Sequence, residues 1–225
     1  MEKKKPQGQP LAQVAYQTLR EMILNNELQV GTQFLEKVLV DKLNISRTPV
    51  REACVRLERE GLIEIQPRHG IRVKPISPDD MREIYEIMTA LESQAVASLA
   101  QKGLKDEEIS RLESATRRMQ QSLQENALES WALADEEFHH TLLELTDNQR
   151  LKEVVLQFWG QAHRVRFATL HLRDTPHDST QDHADVVEAI RNGDAERASE
   201  VHRQHRIKGG RSMVNLLEKL KLANI

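Results

Sequence analysis

The stretch SRTPVREACVRLEREGL, residues Ser46–Leu62, predicts a helix with two unlike faces. One face repeats apolar residues at the i, i+3, i+4 and i+7 spacing that makes a single stripe. The stripe consists of Val50, Ala53, Cys54 and Leu57. The other face is polar and carries arginines. Ser46 or Thr48 can cap the start of this helix, and Gly61 stands where the helix would end.

Two interpretations suit this helix alone: a reader of the DNA major groove, or an ordinary amphipathic helix with solvated arginines. The neighbouring segments favour the first. A short helix is predicted upstream, and only a tight turn at residues 44–46 separates the two, as in a helix-turn-helix unit. The apolar residues of that upstream helix are Leu35, Val38, Leu39 and Leu43. Downstream, alternating residues at 62–65 and 71–73 flank a turn at 67–70, which predicts a β-hairpin wing with a basic tip.

The distribution of charge supports a nucleic-acid partner for the N-terminal part only. Residues 1–74 hold 13 Lys and Arg against 9 Asp and Glu, a net charge of +4. The remainder holds 19 against 26, a net charge of −7, so the whole chain carries −3. A basic module on an acidic body is expected when one end of a protein binds DNA.

The composition indicates a mainly α protein. The 225 residues include two Trp, two Tyr and four Phe, and long polar-apolar repeats separate the few turn residues. No apolar run approaches the roughly 18 residues of a membrane span, so no membrane partner is expected. The single cysteine, Cys54, excludes an intramolecular disulfide and suits a cytoplasmic location. We interpret it as a small core residue.

Four segments follow from these patterns. They are a mobile tail at residues 1–10, a winged helix-turn-helix domain of three helices and a hairpin wing at 11–75, a linker at 76–78 and an all-α domain at 79–225. Ser77, as a cap, and Pro78, at the first helical position, mark the start of the last segment. Its predicted helices are 79–102, 106–125, 128–146, 149–172, 180–192 and 194–222. Helices of this length suggest an antiparallel bundle.

Polar residues interrupt the apolar faces of three of these helices. Asp135 and His139 are four residues apart and share one stripe, so both project toward the bundle interior. His183 heads a second apolar stripe, and His205 lies on the inward side of the last helix. One carboxylate and three imidazoles are a suitable set for a divalent transition metal. The alternative is a buried Asp135–His139 hydrogen bond with the other histidines satisfied separately, and sequence spacing leaves both open.

Two parts of the chain resemble a known family. Residues 46–73, SRTPVREACVRLEREGLIEIQPRHGIRV, are similar to the winged helix-turn-helix signature of the GntR-type bacterial transcription regulators, and the match extends over about Leu11 to Pro75. The runs that begin at Asp135, Asp182 and Asp194 resemble the effector domain of the FadR-like (FCD) branch, over about Asp79 to Leu222.

The FCD resemblance implies a metal centre, with zinc or nickel as the expected ion, and a small organic acid effector. By position the ligands are Asp135, His139, His183 and His205. His202, one turn earlier, is a weaker candidate. Met88 stands where many members carry an Arg that would hold the effector, which leaves two alternatives: a different ligand, or Arg164 or Arg166 in place of that Arg. The remaining histidines have no motif support, and we interpret them as surface or pocket residues: His140, His163, His171 and His177.

The GntR resemblance implies a homodimer on a roughly palindromic, double-stranded operator, and most often a repressor. In such a complex Arg47 and Arg51 are the best readers of bases or phosphates. The other expected DNA contacts are Thr48, Lys37 in the preceding helix, and His69 and Gly70 at the wing tip. Two alternatives remain open: a regulator for which the metal ion itself is the signal, and a metal-dependent hydrolase with a DNA-binding appendage.

Overall fold

The computed structural model describes residues 9–219, which form two compact units that part between Ile76 and Ser77. The predicted tail at residues 1–10 lies outside the described residues except for its last two. The last three residues of the helix predicted at 194–222 lie outside them as well. Within residues 9–219, no helix is long and apolar enough to cross a membrane.

The first unit is a winged helix-turn-helix, which confirms the predicted fold. Its elements are α1 (Leu11–Leu24), β1 (Gln33–Phe34), α2 (Glu36–Leu43), α3 (Arg47–Arg59), β2 (Ile63–Gln66) and β3 (Gly70–Val73). The strands form an antiparallel sheet in the order β1-β3-β2. Asn44 ends α2 in the left-handed conformation with φ of 50°, which permits the tight turn into α3.

The predicted stripe of α3 is buried along its full length and forms the core with α1 and the sheet. Burial raises the pKa of the Cys54 thiol to about 12, as expected of a core cysteine. The stripe predicted for α2 is partly wrong. Leu35 and Val38 are 60% and 48% exposed, because the eight-residue α2 buries fully only Leu39. Ser46 occupies the N-cap position of α3, but its side chain makes no capping hydrogen bond.

Strand β1 was not predicted. Its two residues pair with the middle strand, Gln33 opposite Arg72 and Phe34 opposite Ile71. This pairing requires the glycine at the wing tip: Gly70 has φ of +93°, and a Cβ there would collide with the Phe34 backbone.

The second unit has only helices as regular elements over residues 77–219, as predicted. Its helices are α4 (Pro78–Lys102), α5 (Asp106–Gln124), α6 (Leu128–Leu145), α7 (Gln149–Ala168), α8 (His177–Arg191) and α9 (Ala195–Lys219), with a short 3₁₀ turn at Leu170–Leu172 between α7 and α8. The helix predicted at 149–172 is therefore shorter, and the one predicted at 180–192 begins three residues earlier. The most extensive helix packing joins α4 to α9.

The start of α4 is fixed by a capping box. The Ser77 hydroxyl accepts a hydrogen bond from the Asp80 amide at 3.0 Å, and the Asp80 carboxylate accepts one from the Ser77 amide at 2.9 Å. Pro78 takes the first helical position, where its missing N–H costs nothing. Ser77 was predicted as the cap and Pro78 as the first helical residue, and both have these positions in the structure.

Candidate metal centre and nucleic-acid interface

The four residues predicted as metal ligands come together inside the second unit. Helix α6 supplies Asp135 and His139, α8 supplies His183 and α9 supplies His205. One possible ligand atom of each lies within 4.8 Å of those of the other three. The first three side chains are almost completely buried, and that of His205 is 12% exposed. The polar residues that interrupt three apolar stripes therefore form one cluster.

The ligand atoms of this cluster converge on a small volume. His183 Nε2 lies 3.2 Å from Asp135 Oδ1 and 3.3 Å from His139 Nε2. His139 Nε2 lies 3.8 Å from the same carboxylate oxygen. The ring of His205 completes the group, with its centroid 4.5 Å from that of His183. On its far side, His205 Nδ1 lies 3.7 Å from a carboxylate oxygen of Asp182.

The hydrogen bond of His183 assigns its tautomer. His183 Nδ1 lies 2.5 Å from the Ser179 carbonyl oxygen, which can only accept, so Nδ1 carries the proton. Burial lowers the pKa of His183 to about 4, and its ring is therefore neutral at pH 7. The lone pair on Nε2 then faces the Asp135 carboxylate. Two electron-rich atoms at this separation repel each other unless a cation lies between them.

The cluster fits a divalent transition metal in its chemistry as well as its geometry. A metal binds neutral imidazole, and burial lowers the pKa of His139 and of His205 well below the usual range. Three imidazoles and one carboxylate provide the four ligands of a tetrahedral zinc site, and nickel accepts the same ligands.

A second group of buried polar residues adjoins His139, and sequence analysis missed most of it. Glu92 of α4 has its Oε2 atom 3.1 Å from His139 Nδ1 and 3.2 Å from His202 Nε2. Arg206 of α9 donates to both oxygens of Glu92, with Nε 3.0 Å from Oε2. His202, the weaker ligand candidate, thus lies beside Glu92 and outside the four-residue cluster. The sequence did carry a signal for Glu92, because this carboxylate lies one turn after Met88 on the apolar, buried face of α4.

Glu92 is ionised although it is buried. Burial by itself would raise the pKa of this carboxyl. The Arg206 guanidinium and the hydrogen bonds with His139 and His202 outweigh burial and hold the pKa well below its usual range.

The residues predicted to hold an effector differ in charge and in distance from the four-residue cluster. Arg166 forms an ion pair with Asp135 Oδ2, next to the four-residue cluster, and its side chain is 11% exposed. Arg164 is buried on the same helix. Burial lowers the pKa of each guanidinium to about 10, so both remain cationic at pH 7. Met88 is fully buried and apolar, and therefore cannot pair with a carboxylate.

The remaining histidines lie apart from the four-residue cluster. His163 is buried with Nδ1 3.2 Å from a carboxylate oxygen of Glu136, and His140 lies 3.8 Å from the same oxygen. His171 is exposed and pairs with Glu129, and His177 is exposed in the first turn of α8.

The residues predicted to bind DNA are nearly all exposed. Arg47, Thr48 and Arg51 occupy the first turns of α3 and are exposed. Arg47 also forms an exposed ion pair with Glu36, 3.3 Å long. Lys37 in α2 and His69 at the wing tip are exposed, and Gly70 is half-buried at the base of the turn. The guanidinium groups at the start of α3 are therefore available to an anionic partner.

Two family models match the chain. Residues 11–73 match the model described as bacterial regulatory proteins, gntR family, and residues 83–207 match that of the FCD domain. A relative in Agrobacterium vitis, an uncharacterized HTH-type transcriptional regulator in the TAR-I ttuE-ttuC' intergenic region, is 42% identical over 131 residues, 57% of this chain and 77% of the relative. The HTH-type transcriptional repressor RspR of Escherichia coli K12 is 31% identical over 199 residues, 87% of each chain.

Solved structures share the fold at lower sequence identity. The chain resembles E. coli McbR/YncC with a TM-score of 0.76 and 20% identity, over 95% of this chain and 99% of that one. A GntR regulator from Rhodococcus sp. RHA1 superposes with a TM-score of 0.72 and 19% identity, over 91% and 97% of the two chains. At these identities the likeness shows the fold alone.

Proposed function

The chain belongs to the GntR family of bacterial transcription regulators and carries an FCD domain; from this premise we propose a homodimeric repressor whose affinity for a palindromic operator is set by a small organic acid bound at a metal centre. The matching domains and relatives are DNA-binding regulators and not enzymes, which confirms the predicted class of DNA-binding regulator and sets aside the metal-dependent hydrolase. The description of RspR, 31% identical, as a repressor supports the sign of regulation.

The DNA-binding part of the proposal rests on the exposed start of α3. Arg47 and Arg51 extend from the helix end whose dipole favours anions, and the rigid fork of a guanidinium suits both phosphate and guanine. Thr48, Lys37 and the wing tip at His69 and Gly70 would contact the DNA backbone or the minor groove. A symmetric dimer would present two such helices to two half-sites.

The proposed ligands of the metal ion are Asp135, His139, His183 and His205. When bound, the ion supplies a Lewis-acid site to which a carboxylate oxygen can coordinate. The observation that carries this proposal is the approach of His183 Nε2, which bears no proton, to within 3.2 Å of the Asp135 carboxylate. A cation between the two atoms would convert that repulsion into attraction.

We propose an acid as the effector because the metal-loaded centre would carry a net positive charge. Asp135 carries one negative charge and already pairs with Arg166. It cannot neutralise both Arg166 and a divalent ion, so the loaded site would hold excess positive charge with little access to water. A small organic acid would supply the missing anion, with Arg166 as the nearest guanidinium. Such a ligand changes DNA affinity only as far as it prefers one arrangement of the protein over another.

A metal-sensing regulator is the second candidate, and one observation favours it. The four protein groups alone satisfy a four-coordinate ion, as in closed structural sites, and leave no position that an organic ligand must fill. Reversible dependence of DNA binding on the metal, with no organic acid present, would favour this candidate.

Metal content and DNA affinity, measured on the same protein, test the proposal. Untagged protein should hold about one zinc or nickel ion per subunit by elemental analysis. His183→Ala should lose that ion, because it removes one of four ligands. His171→Ala, which changes an exposed histidine outside the cluster, is the matched control and should retain the ion.

Operator sequences selected from random DNA then allow the effector to be sought. Addition of a panel of small carboxylic acids should change the anisotropy binding curve of wild-type protein and leave that of His183→Ala unmoved. Absence of metal from wild-type protein, even after incubation with zinc and nickel, would contradict the metal centre and leave a metal-free pocket. A binding curve that no acid moves would contradict the effector.

A further inference from the structure

We propose that Glu92 is a positioning residue of the metal centre, which holds His139 in the tautomer that directs the Nε2 lone pair at the ion. The inference rests on the proposed metal site and adds a residue on a helix, α4, that supplies none of the four ligands. The two nitrogen atoms of the His139 ring have different surroundings. Nε2 faces Asp135 and His183, whereas Nδ1 lies 3.1 Å from Glu92 Oε2.

A histidine that binds a metal through Nε2 must carry its proton on Nδ1, and that proton needs an acceptor. Two groups lie within reach of His139 Nδ1, because Arg206 Nη2 is also 3.1 Å away. Arg206 has no lone pair to offer, since a guanidinium only donates. Glu92 is therefore the acceptor that suits a metal-binding His139, and its negative charge strengthens the hydrogen bond.

Arg206 gives Glu92 the charge that this role requires. The guanidinium donates to both carboxylate oxygens, and both residues are at least 98% buried. Because each carboxylate oxygen already accepts a hydrogen bond from the guanidinium, Glu92 meets His139 as an acceptor as well. The ion pair thus keeps Glu92 an acceptor.

The same ion pair argues against a second ion at Glu92. Glu92, His139 and His202 could supply three ligand atoms to a cation. A guanidinium already bound to both oxygens of Glu92 would repel an ion placed there. The group around Glu92 therefore supports the metal centre and is not a centre of its own.

Zinc affinity, measured by competition with a chromophoric chelator, tests the role of Glu92. Glu92→Gln removes the charge and should weaken zinc binding by about 10- to 100-fold, the usual effect of removing such a partner. This variant leaves Arg206 buried without a counter-charge and can unfold. The double variant Glu92→Gln with Arg206→Met removes both charges, should keep the fold, and should show the same loss of affinity.

His202→Gln is the matched control. It changes another buried partner of Glu92, and His202 is not one of the four proposed metal ligands. It should lower the melting temperature of the metal-free protein but leave zinc affinity unchanged. Zinc binding as tight in the folded double variant as in wild type would overturn the inference. An equal loss of affinity in His202→Gln would overturn it too, since packing alone would then account for the effect. Wild-type protein that binds no zinc would instead refute the proposed metal centre, and the inference with it.

Discussion

Arg51 is the residue on which sequence-specific recognition is most simply tested. It lies one turn into α3 and is exposed. Replacement by Ala should weaken operator binding by about 1–3 kcal/mol and relax specificity at one base pair, if the guanidinium forks onto a guanine. Fluorescence anisotropy with the selected operator and its single-base variants measures both effects.

Arg59→Ala is the control for this experiment. Arg59 is an exposed arginine at the C-terminal end of the same helix, so the change in net charge is identical. It should alter binding less than Arg51→Ala and should not change base preference. A uniform loss of affinity for all sequences in Arg51→Ala would assign Arg51 to a phosphate and contradict base reading.

Single residues were predicted from the sequence when their spacing placed them on a helix face. Asp135 and His139 were predicted together because they are four apart on one stripe, and both are buried. Glu92 was missed because its partner, Arg206, is 114 residues away, and no periodicity reports so distant a pairing. His202 was given less weight than His205 for its position. In the structure its Nε2 atom lies 3.2 Å from the supporting carboxylate of Glu92, and its ring lies beside those of His139 and His205 without joining the four ligands.

Helices α4 and α9 pack closely enough for one glycine to matter. A Cβ on Gly210 would lie 2.8 Å from the Tyr85 ring, whereas a Cβ on Gly209 would have its nearest atom of that ring at 3.9 Å. Gly210→Ala should therefore destabilise the protein by about 1–3 kcal/mol through overpacking. Gly209→Ala should be neutral, or stabilising by up to about 1 kcal/mol, because Ala favours helix.

Urea denaturation of the two glycine variants beside wild type measures this difference. The slopes of the transitions should agree, so that the midpoints report stability. Equal stability of Gly210→Ala and Gly209→Ala would contradict the close approach of α4 to α9.

Elements were predictable where local signals were strong. The cap at Ser77, the proline at position 78 and the long apolar periods predicted the helices of the second unit to within a few residues. Strand β1 was not predictable, because two residues carry no alternation and the strand exists only through pairing with β3. The exposure of Leu35 and Val38 could not be predicted for a related reason. The apolar spacing of a two-turn helix does not show how many of its residues pack against the core.

The whole molecule is expected to act as a dimer. Sedimentation should give twice the subunit mass of 25.9 kDa. One dimer should bind a palindrome whose half-sites are centred about 10 base pairs or a multiple of that apart. Insertion of five base pairs between the half-sites turns one of them to the opposite face of the DNA. The affinity should then fall to that of a single half-site, measured on DNA with the other half scrambled.

A monomer that binds the intact and the lengthened operator equally would contradict this arrangement. The inference of a dimer came from family resemblance and not from the residues, because a helical period does not show whether an apolar face meets its own chain or another.

The buried pair of Glu92 and Arg206 also constrains how this protein can evolve. Loss of either partner leaves a charge without compensation inside the bundle, at a cost of about 3–5 kcal/mol of stability, whereas loss of both can be neutral for stability. That cost is a large part of the stability of an ordinary domain. Descendants with only one of the two substitutions would therefore be selected against. Lineages should keep the pair or exchange both members together. The two positions, 114 residues apart in the chain, should therefore covary.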